Sequence, residues 1–227
     1  MVSRFSDIFV LIAGMMWGVL GIFVTRLNNI GYTPLEISAM RWIVSAIIIM
    51  VFTAVCNIKK LKVAVKDLWI FASIGIFSSL SMSTFYFMCM EQTSIAVSDV
   101  LMYTSPIWVL IFSVIFFKEK LNAIKLFCIA FVFLGCALVC GIFESENGGF
   151  GLKGIIFGLC SGVAYSLYSI IGKVALKKYN QLTITAYSFL FAALGSLFIA
   201  DIPRVFSFMS QNAFSIKYIL LVSLVGT

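Results

Sequence analysis

A chain of 227 residues that is 62% hydrophobic and only 11% charged, with a mean hydropathy of +1.12, is too apolar for a water-soluble domain, in which roughly a quarter of residues carry charge. The formal net charge of +7 does not point to nucleic acid, because Lys and Arg fall in short runs between apolar stretches instead of forming one patch. Histidine is absent, which excludes imidazole acid/base catalysis, His-ligated haem and most zinc-enzyme schemes.

The expected fold is therefore all-α, a polytopic membrane helix bundle of at least seven spans. Uncharged apolar runs place them near 8–25, 35–55, 68–90, 97–117, 122–142, 154–176 and 183–201, each close to the roughly 20 residues that cross a hydrocarbon core. Arg4 and Asp7 precede the first run and no small-residue cleavage site follows it, the pattern of a retained signal anchor. Within that run Gly14, Gly18, Gly21 and Thr25 recur at helical spacing, a nearly bare face that lets a neighbouring helix approach. Trp17 flanks this face, where its ring either packs or lines a cavity.

The second run holds Arg41, a charge that needs a partner in hydrocarbon. Glu36, Glu91 and Asp99 are expected at the same side of the membrane. Arg41 either pairs with one of these carboxylates or snorkels outward; the sharper reading is that the cluster gates an outer vestibule or binds a charged group. The third run carries Ser78, Ser79, Ser81, Ser83, Thr84 and Tyr86. Gly75, Ser79, Ser83 and Tyr86 are the expected inward stripe, with Ser83 and Tyr86 as candidate ligand contacts beside the simpler reading of hydroxyls bonded to their own helix. In the fourth run Tyr103, Thr104 and Ser105 precede Pro106. A proline inside a helix frees the carbonyl of Met102, and broken helices near the midplane are where transporters bind substrate; a plain kink is the alternative.

The loop 143–153 is the most polar and glycine-rich connection, and it follows a five-helix unit. We place one unit at 1–145 and a second, incomplete one at 151–227. Sliding the first span onto the sixth sets Gly14, Gly18 and Gly21 over Gly162, Ser166 and Ser169, and Trp17 over Tyr165. Five helices is an odd number, so a second copy runs inverted to the first. Gly158, Gly162, Tyr165, Ser169 and Gly172 share a face of the sixth span, with Tyr165 and Ser169 as further candidates. The seventh run is followed by an eighth that opens near Ile216 and reaches Thr227 short of a full span, so the chain is expected to end inside a helix.

Basic residues set the orientation. Arg4, Lys59, Lys60, Lys62, Lys66, Lys118, Lys120, Lys125, Lys173, Lys177 and Lys178 gather on one side, against Arg26, Lys153, Arg204 and Lys217 on the other, which puts the N-terminus in the cytoplasm and the protein in the cell membrane. Cys56 lies at a helix end, the other five cysteines lie within spans, and none forms a CxxC pair; free thiols are expected.

These residues resemble the EamA-type transporters of the drug/metabolite transporter superfamily. The stretch TSIAVSDVLMYTSPIWVLIFSVIFFKEKLNAIKLFCIAFVFLGCALVCG has the small polar lead-in, the mid-helix Pro106, Glu119 at the turn and Gly135 late in the next helix that mark the family. Trp17-Gly18, and Pro34 followed by Arg41, are similar too. The resemblance covers the first unit and the start of the second. It implies ten helices in two inverted halves around a central cavity, with Trp17, Tyr86, Tyr103, Pro106 and Tyr165 lining it and Glu119 as a turn residue. The pattern departs at the end, where the eighth helix is short and a ninth and tenth are missing.

The functional expectation is a secondary transporter of a small organic metabolite or drug; no P-loop is present to couple ATP. The alternative is a non-transporting subunit or an inactive truncated fragment. An intramembrane enzyme would need paired aspartates, an HExxH helix or a histidine, and the sequence has none. No cofactor, metal or catalytic residue is expected. The expected partners are the lipid bilayer and a small-molecule substrate, not nucleic acid, with a homodimer left open.

Overall fold

The computed structural model describes residues 2–118, 123–139, 151–211 and 213–226; within these, the side chains of residues 2–10, Ala13, Trp17, Lys59, Gln211, Ala213 and much of the helix at 123–139 lie outside the described set. Glu119 and the loop at 143–150 are outside it as well.

Helix α1 (Val2–Ile30) ends at Gly31, whose φ of 111° is open to glycine at little cost. Two residues on, Thr33 starts α2 (Pro34–Asn57) with a capping box: the Glu36 amide donates to Thr33 Oγ1 at 3.3 Å and the Thr33 amide donates to Glu36 Oε2 at 2.7 Å. Pro34 sits in the first helical turn, where its missing N–H costs nothing. Two short 3₁₀ turns, Ile58–Leu61 and Val65–Asp67, lead into a third span made of α3 (Leu68–Ala72), a π-helical segment (Ser73–Leu80) and α4 (Ser81–Gln92). The fourth span is broken into α5 (Ile95–Met102), capped by Ser94, and α6 (Ser105–Phe117). Then follow α7 (Ala123–Val139), α8 (Leu152–Ala175), α9 (Gln181–Ser196), α10 (Ile202–Gln211) and α11 (Ala213–Val225).

Four stretches are long and apolar enough to cross a membrane, namely Pro34–Asn57, Val65–Gln92, Ile95–Phe117 and Leu152–Ala175; α1, α7 and α9 occupy the other three expected positions as helices of 29, 17 and 16 residues. One element departs from the sequence reading. The segment expected to be a loop before the eighth span is the helix α10, started by Asp201, whose Oδ1 accepts from the Arg204 amide at 3.2 Å. It is short and carries no long apolar run, so a hydropathy window passes over it. The helix after it begins at Ala213 instead of near Ile216.

The bundle is apolar outside and mildly polar inside, as lipid demands. Val55, Trp69, Phe77, Phe116 and Phe198 are exposed, while Ser38, Ser78, Ser83, Ser98, Ser161, Ser166 and Ser188 are fully buried. Several inner hydroxyls bond back to their own helix, Ser161 to the Gly158 carbonyl at 2.7 Å and Ser166 to that of Val163 at 2.6 Å, which hides them cheaply. Others tie helices together: Ser38 and Ser83 at 2.7 Å, and Ser78 to the Ala164 carbonyl at 2.8 Å.

The helices exchange partners between the two ends of the chain. Helix α2 pairs with α9 at the centre; α8 lies against the third span as α1 lies against α11, and α9 meets the π segment as α2 meets α11. Small residues set the closest approaches. A Cβ on Gly158 would come within 2.5 Å of Leu101, and one on Gly162 within 2.7 Å of Thr104 Oγ1, so this face of α8 is packed against the broken fourth span. The corresponding face of α1 differs: Gly21 abuts Ile95, but a Cβ on Gly14 or Gly18 meets nothing within 4 Å among the described residues.

Gly75 is the tightest of these contacts, since a Cβ there would lie 2.3 Å from the Ser188 carbonyl oxygen and 2.9 Å from the Ala192 nitrogen, backbone atoms that cannot rotate away. Gly75→Ala should therefore destabilise the protein by about 1–3 kcal/mol, the usual cost of overpacking. Gly172→Ala, whose new methyl meets nothing within 4 Å, should be neutral or gain up to about 1 kcal/mol from helix propensity. Thermal unfolding in detergent measures both, and equal melting of the two variants would contradict the Gly75 contact.

Candidate functional site

Arg41 is the starting point because its charge is buried about two turns into α2, at 4% exposure. Its Nη2 donates to the Gly226 carbonyl oxygen at 2.7 Å, its guanidinium carbon lies 4.9 Å from the centre of the Trp42 ring, and its Nε has no hydrogen-bond partner. The carboxylates expected to pair with it are engaged elsewhere. Glu36 binds Arg204 of α10 at 3.1 Å, and Asp99 accepts from the Tyr86 hydroxyl at 2.6 Å. Glu91 is exposed. The outer cluster of four charges therefore does not form, and among the described residues no carboxylate lies at ion-pair distance from Arg41. The sequence reading missed the partner for Glu36 because Arg204 is 168 positions away on a helix it had assigned to a loop.

Instead Arg41 lines a cavity of about 190 Å³. Trp42, Tyr165, Tyr168 and Phe189 give it aromatic walls, and Ser78, Ser79, Met82 and Gly226 complete it. The Trp42 ring is fixed from two sides. Its Nε1 donates to Ser83 Oγ at 2.7 Å, and Phe189 meets it edge-on with ring centres 4.9 Å apart. The π segment puts the neighbouring Ser78 and Ser79 into one wall and breaks the expected stripe. With 73–80 wound wider than an α-helix, Gly75 faces α9, Ser83 faces α2 and Tyr86 reaches α5. Ser81 repairs the winding, its hydroxyl donating to the Ile76 carbonyl at 3.0 Å. Segments of π-helix inside longer helices recur at functional sites.

The predicted site residues separate into groups. Tyr165 lines this cavity, and Ser169 lines a second one of about 300 Å³ formed with Gly172, Lys173 and Gln181 toward the lysine-rich end; Tyr168 belongs to both walls. Ser83 lies behind the first cavity, its oxygen shared by Ser38, Trp42 and the Leu80 carbonyl. Tyr86 is buried against Asp99, whereas Tyr103 is 58% exposed and Pro106 is exposed at the helix break. These four do not wall either cavity. Trp17 lies in α1, and its side chain is outside the described residues. Trp42, Tyr168 and Phe189 were not singled out from the sequence. The available signals were an aromatic next to an intramembrane arginine, and a tyrosine three positions after Tyr165 on the same helical face.

Pro106 does not bend a continuous helix. The chain leaves α5 at Tyr103, Thr104 turns back so that its amide and its hydroxyl both reach the Leu101 carbonyl, at 3.2 and 2.7 Å, and Pro106 falls in the first turn of α6. A proline there removes a donor that the second helix does not use. The buried Thr104, packed on Gly162, is the residue that makes the break affordable in hydrocarbon.

At the lysine-rich end a cluster of bonds around Asp67, the clamp, ties the segment at 60–67 to the start of α9. Asp67 accepts from Lys178 and from the Tyr179 hydroxyl; the Tyr187 hydroxyl donates to the Leu61 carbonyl at 2.7 Å and Thr183 to that of Lys60 at 2.8 Å. Phe71 lies between Tyr179 and Tyr187, with ring centres 5.2 and 5.3 Å away. The hydrogen bond from Lys178, then that from Tyr179, holds the Asp67 carboxyl below the usual carboxylate range, and the same bond raises Lys178.

The EamA-like transporter family matches this chain in two stretches, residues 4–141 and 152–227. An uncharacterized transporter of Clostridium kluyveri is 27% identical over 186 residues, covering 79% of this chain and 60% of its own length. One from Archaeoglobus fulgidus is 30% identical over 154 residues, covering 68% and 52%. The uncharacterized transporter YxxF of Bacillus subtilis is 33% identical over 94 residues, covering 39% and 29%. The chain thus spans 52–60% of the length of the first two relatives. A solved structure, named only "Crystal structure of protein", superposes with a TM-score of 0.55 at 16% identity, covering 95% of this chain and 77% of the other; this likeness concerns the fold alone.

The clamp has a defined pH window. Asp67 is depressed in the folded state, so its contribution is present above the normal carboxylate pKa and lost as pH falls through the lowered value. Lys178 is raised, so its contribution is present below the normal lysine pKa and lost as pH rises through the raised value. Hydrogen exchange at Ala64, whose amide donates to the Tyr179 hydroxyl at 3.3 Å, should therefore stay slow through the neutral range once corrected for intrinsic rates, and accelerate at both extremes. In Asp67→Asn the acid-side acceleration should vanish, the site being already loosened at neutral pH.

Proposed function

We propose, from the premise that this chain belongs to the EamA-like transporter family, that it forms the substrate-binding part of a secondary transporter that moves a small organic solute across the cytoplasmic membrane by alternating access. The observation that carries this reading is the central cavity. It lies where α2 and the π segment, from the first matched stretch, meet α8 and α9 from the second, and it combines one buried cation and serine side chains with aromatic walls. Sites of this kind, at the junction of two repeats and beside interrupted helices, suit a solute that must be released as readily as it is bound.

The same reading takes residues 1–145 and 151–227 as inverted repeats. The exchanged packing of α1 on α11 and α8 on the third span supports it, as does the sliding of Trp17 onto Tyr165. With the N-terminus in the cytoplasm, the lysine-rich end faces inward. The Asp67 clamp then closes the inner side in this conformation, and Tyr168 divides the central cavity from the one that leads to that side. Opening inward requires the clamp to release and the Tyr168 ring to swing away, a rigid-body rocking of one helix group against the other.

The test uses the full-length protein in proteoliposomes. Counterflow of a preloaded solute should be saturable, and Tyr168→Ala, which joins the two cavities, should change its rate several-fold while leaving insertion unaffected. A wild-type protein that moves no solute from a broad metabolite panel would leave the non-transporting subunit as the better account. For orientation, a cysteine placed at Lys62 should react with a membrane-impermeant maleimide only after the cytoplasmic side is exposed; labelling from outside intact cells would reverse the topology.

A further inference from the structure

We propose that the central cavity selects a small monocarboxylate anion with a flat apolar body, with Arg41 as the residue that binds the carboxylate. This rests on the reading of the cavity as the substrate site and goes further by naming the charge and shape of what enters it.

The argument begins with cost. A guanidinium taken out of water and left without a counter-charge is among the most unfavourable arrangements a fold can hold, and Arg41 is 4% exposed. Its one described hydrogen bond to protein is to a neutral carbonyl, that of Gly226, and its Nε has no partner. Trp42 lies against it at 4.9 Å, an attraction that offsets part of the desolvation and leaves the in-plane edge of the guanidinium to hydrogen-bonding partners. Guanidinium donors lie in a planar fork that matches the two oxygens of a carboxylate, and Arg gives up its hydration more readily than Lys. Arg41 lines the cavity beside Gly226, and a carboxylate that takes its fork replaces the Gly226 carbonyl there.

The remaining lining narrows the choice. Among the described residues the wall contains no Asp or Glu, so an ammonium group has no counter-ion there, and the Trp42 face that might otherwise attract one is already covered by Arg41. Cations are repelled and zwitterions are only half satisfied. A dianion such as a phosphate monoester is poorly served by a single guanidinium and the small hydroxyls of Ser78 and Ser79. The other walls, Tyr165, Tyr168 and Phe189, are broad apolar surfaces suited to a planar or branched hydrocarbon body. At about 190 Å³ the space falls below the 300–1,000 Å³ of drug-sized sites, which favours a small acid.

The experiment measures binding of four matched probes to full-length protein in lipid nanodiscs at neutral pH by equilibrium dialysis: benzoate (anion), benzamide (neutral), benzylamine (cation) and phenylalanine (zwitterion). The wild type should bind benzoate at least about tenfold more tightly than any of the others, roughly the worth of one charge-assisted bond. Arg41→Gln should weaken benzoate by roughly ten- to a hundredfold and leave benzamide within about threefold, while Arg41→Lys keeps the order of preference. No benzoate binding, equal binding of benzoate and benzamide, or benzoate binding indifferent to Arg41→Gln overturns the proposal. Should Arg41→Gln fail to fold because α11 loses its contact, the wild-type ranking of the four probes still decides. Flux in proteoliposomes separates this idea from the one beneath it. Arg41-dependent benzoate binding without any flux keeps the anion site and defeats transport, whereas flux of neutral or cationic solutes that Arg41→Gln leaves unchanged keeps transport and defeats the anion site.

Discussion

In hydrocarbon a bare backbone or hydroxyl group costs several kcal/mol, and the way this chain meets that cost decides which faces touch lipid, which touch other helices and where the helices break. Large apolar side chains go outward because lipid offers them no penalty, and serines go inward where a carbonyl or a second hydroxyl lies within reach, Ser188 being the one described serine buried without a partner. Association between helices then cannot come from burying hydrocarbon, which lipid solvates equally well. It comes from close backbone approach and from short interhelical hydrogen bonds, hence the glycines at 75, 158 and 162 and the Ser38–Ser83–Trp42 junction.

The two irregular spans follow from the same constraint. A helix can depart from α geometry inside a membrane only if nearby groups take up the carbonyls it releases. In the π segment the Ile76 carbonyl keeps the Ser81 amide as a donor and gains the Ser81 hydroxyl, and in the broken fourth span Thr104 donates to Leu101. The consequences for the site differ. The π segment turns Ser78 and Ser79 together into the cavity wall, whereas the break at 103–104 is pressed against the bare face of α8 and is structural packing first. Pro106 marks the break without lining the cavity.

Span positions were legible in the sequence because hydropathy over about 20 residues reports directly on a slab of fixed thickness. Family membership was legible too, from the stretch around Pro106. Faces were less so. The stripe through Gly75, Ser79, Ser83 and Tyr86 assumed a uniform 3.6-residue period, and the π winding sends those residues toward three different neighbours. Helix α10 escaped notice because a short amphipathic helix has no long apolar run to detect. Arg41 was recognised as a charge in need of an answer, but the answer depends on who sits opposite. Which acid meets which base, Glu36 with Arg204 and Asp99 facing Tyr86, is a property of the packed bundle and leaves no local trace in either segment. Trp42, Tyr168 and Phe189 were hidden for a plainer reason: in a chain that is 15% aromatic, an aromatic side chain is not informative until its face is known.

The cavity and the bundle share their contacts, and this links binding to conformation. Arg41 belongs to the cavity wall and also holds the Gly226 carbonyl beyond α11; one turn along α2, Ser45 donates to the Ser223 carbonyl of the same helix at 3.3 Å. On the other side Ser78 lines the cavity and donates to Ala164 of α8, next to Tyr165. Two polar groups of the cavity wall, Arg41 and Ser78, are thus already engaged in joining an element of the first matched stretch to one of the second. A solute that draws on Arg41 or Ser78 competes with those joints, so its binding energy acts directly on the interface between the two halves. Coupling of that kind would need no long pathway, because Arg41 and Ser78 both line the cavity and join the two matched stretches.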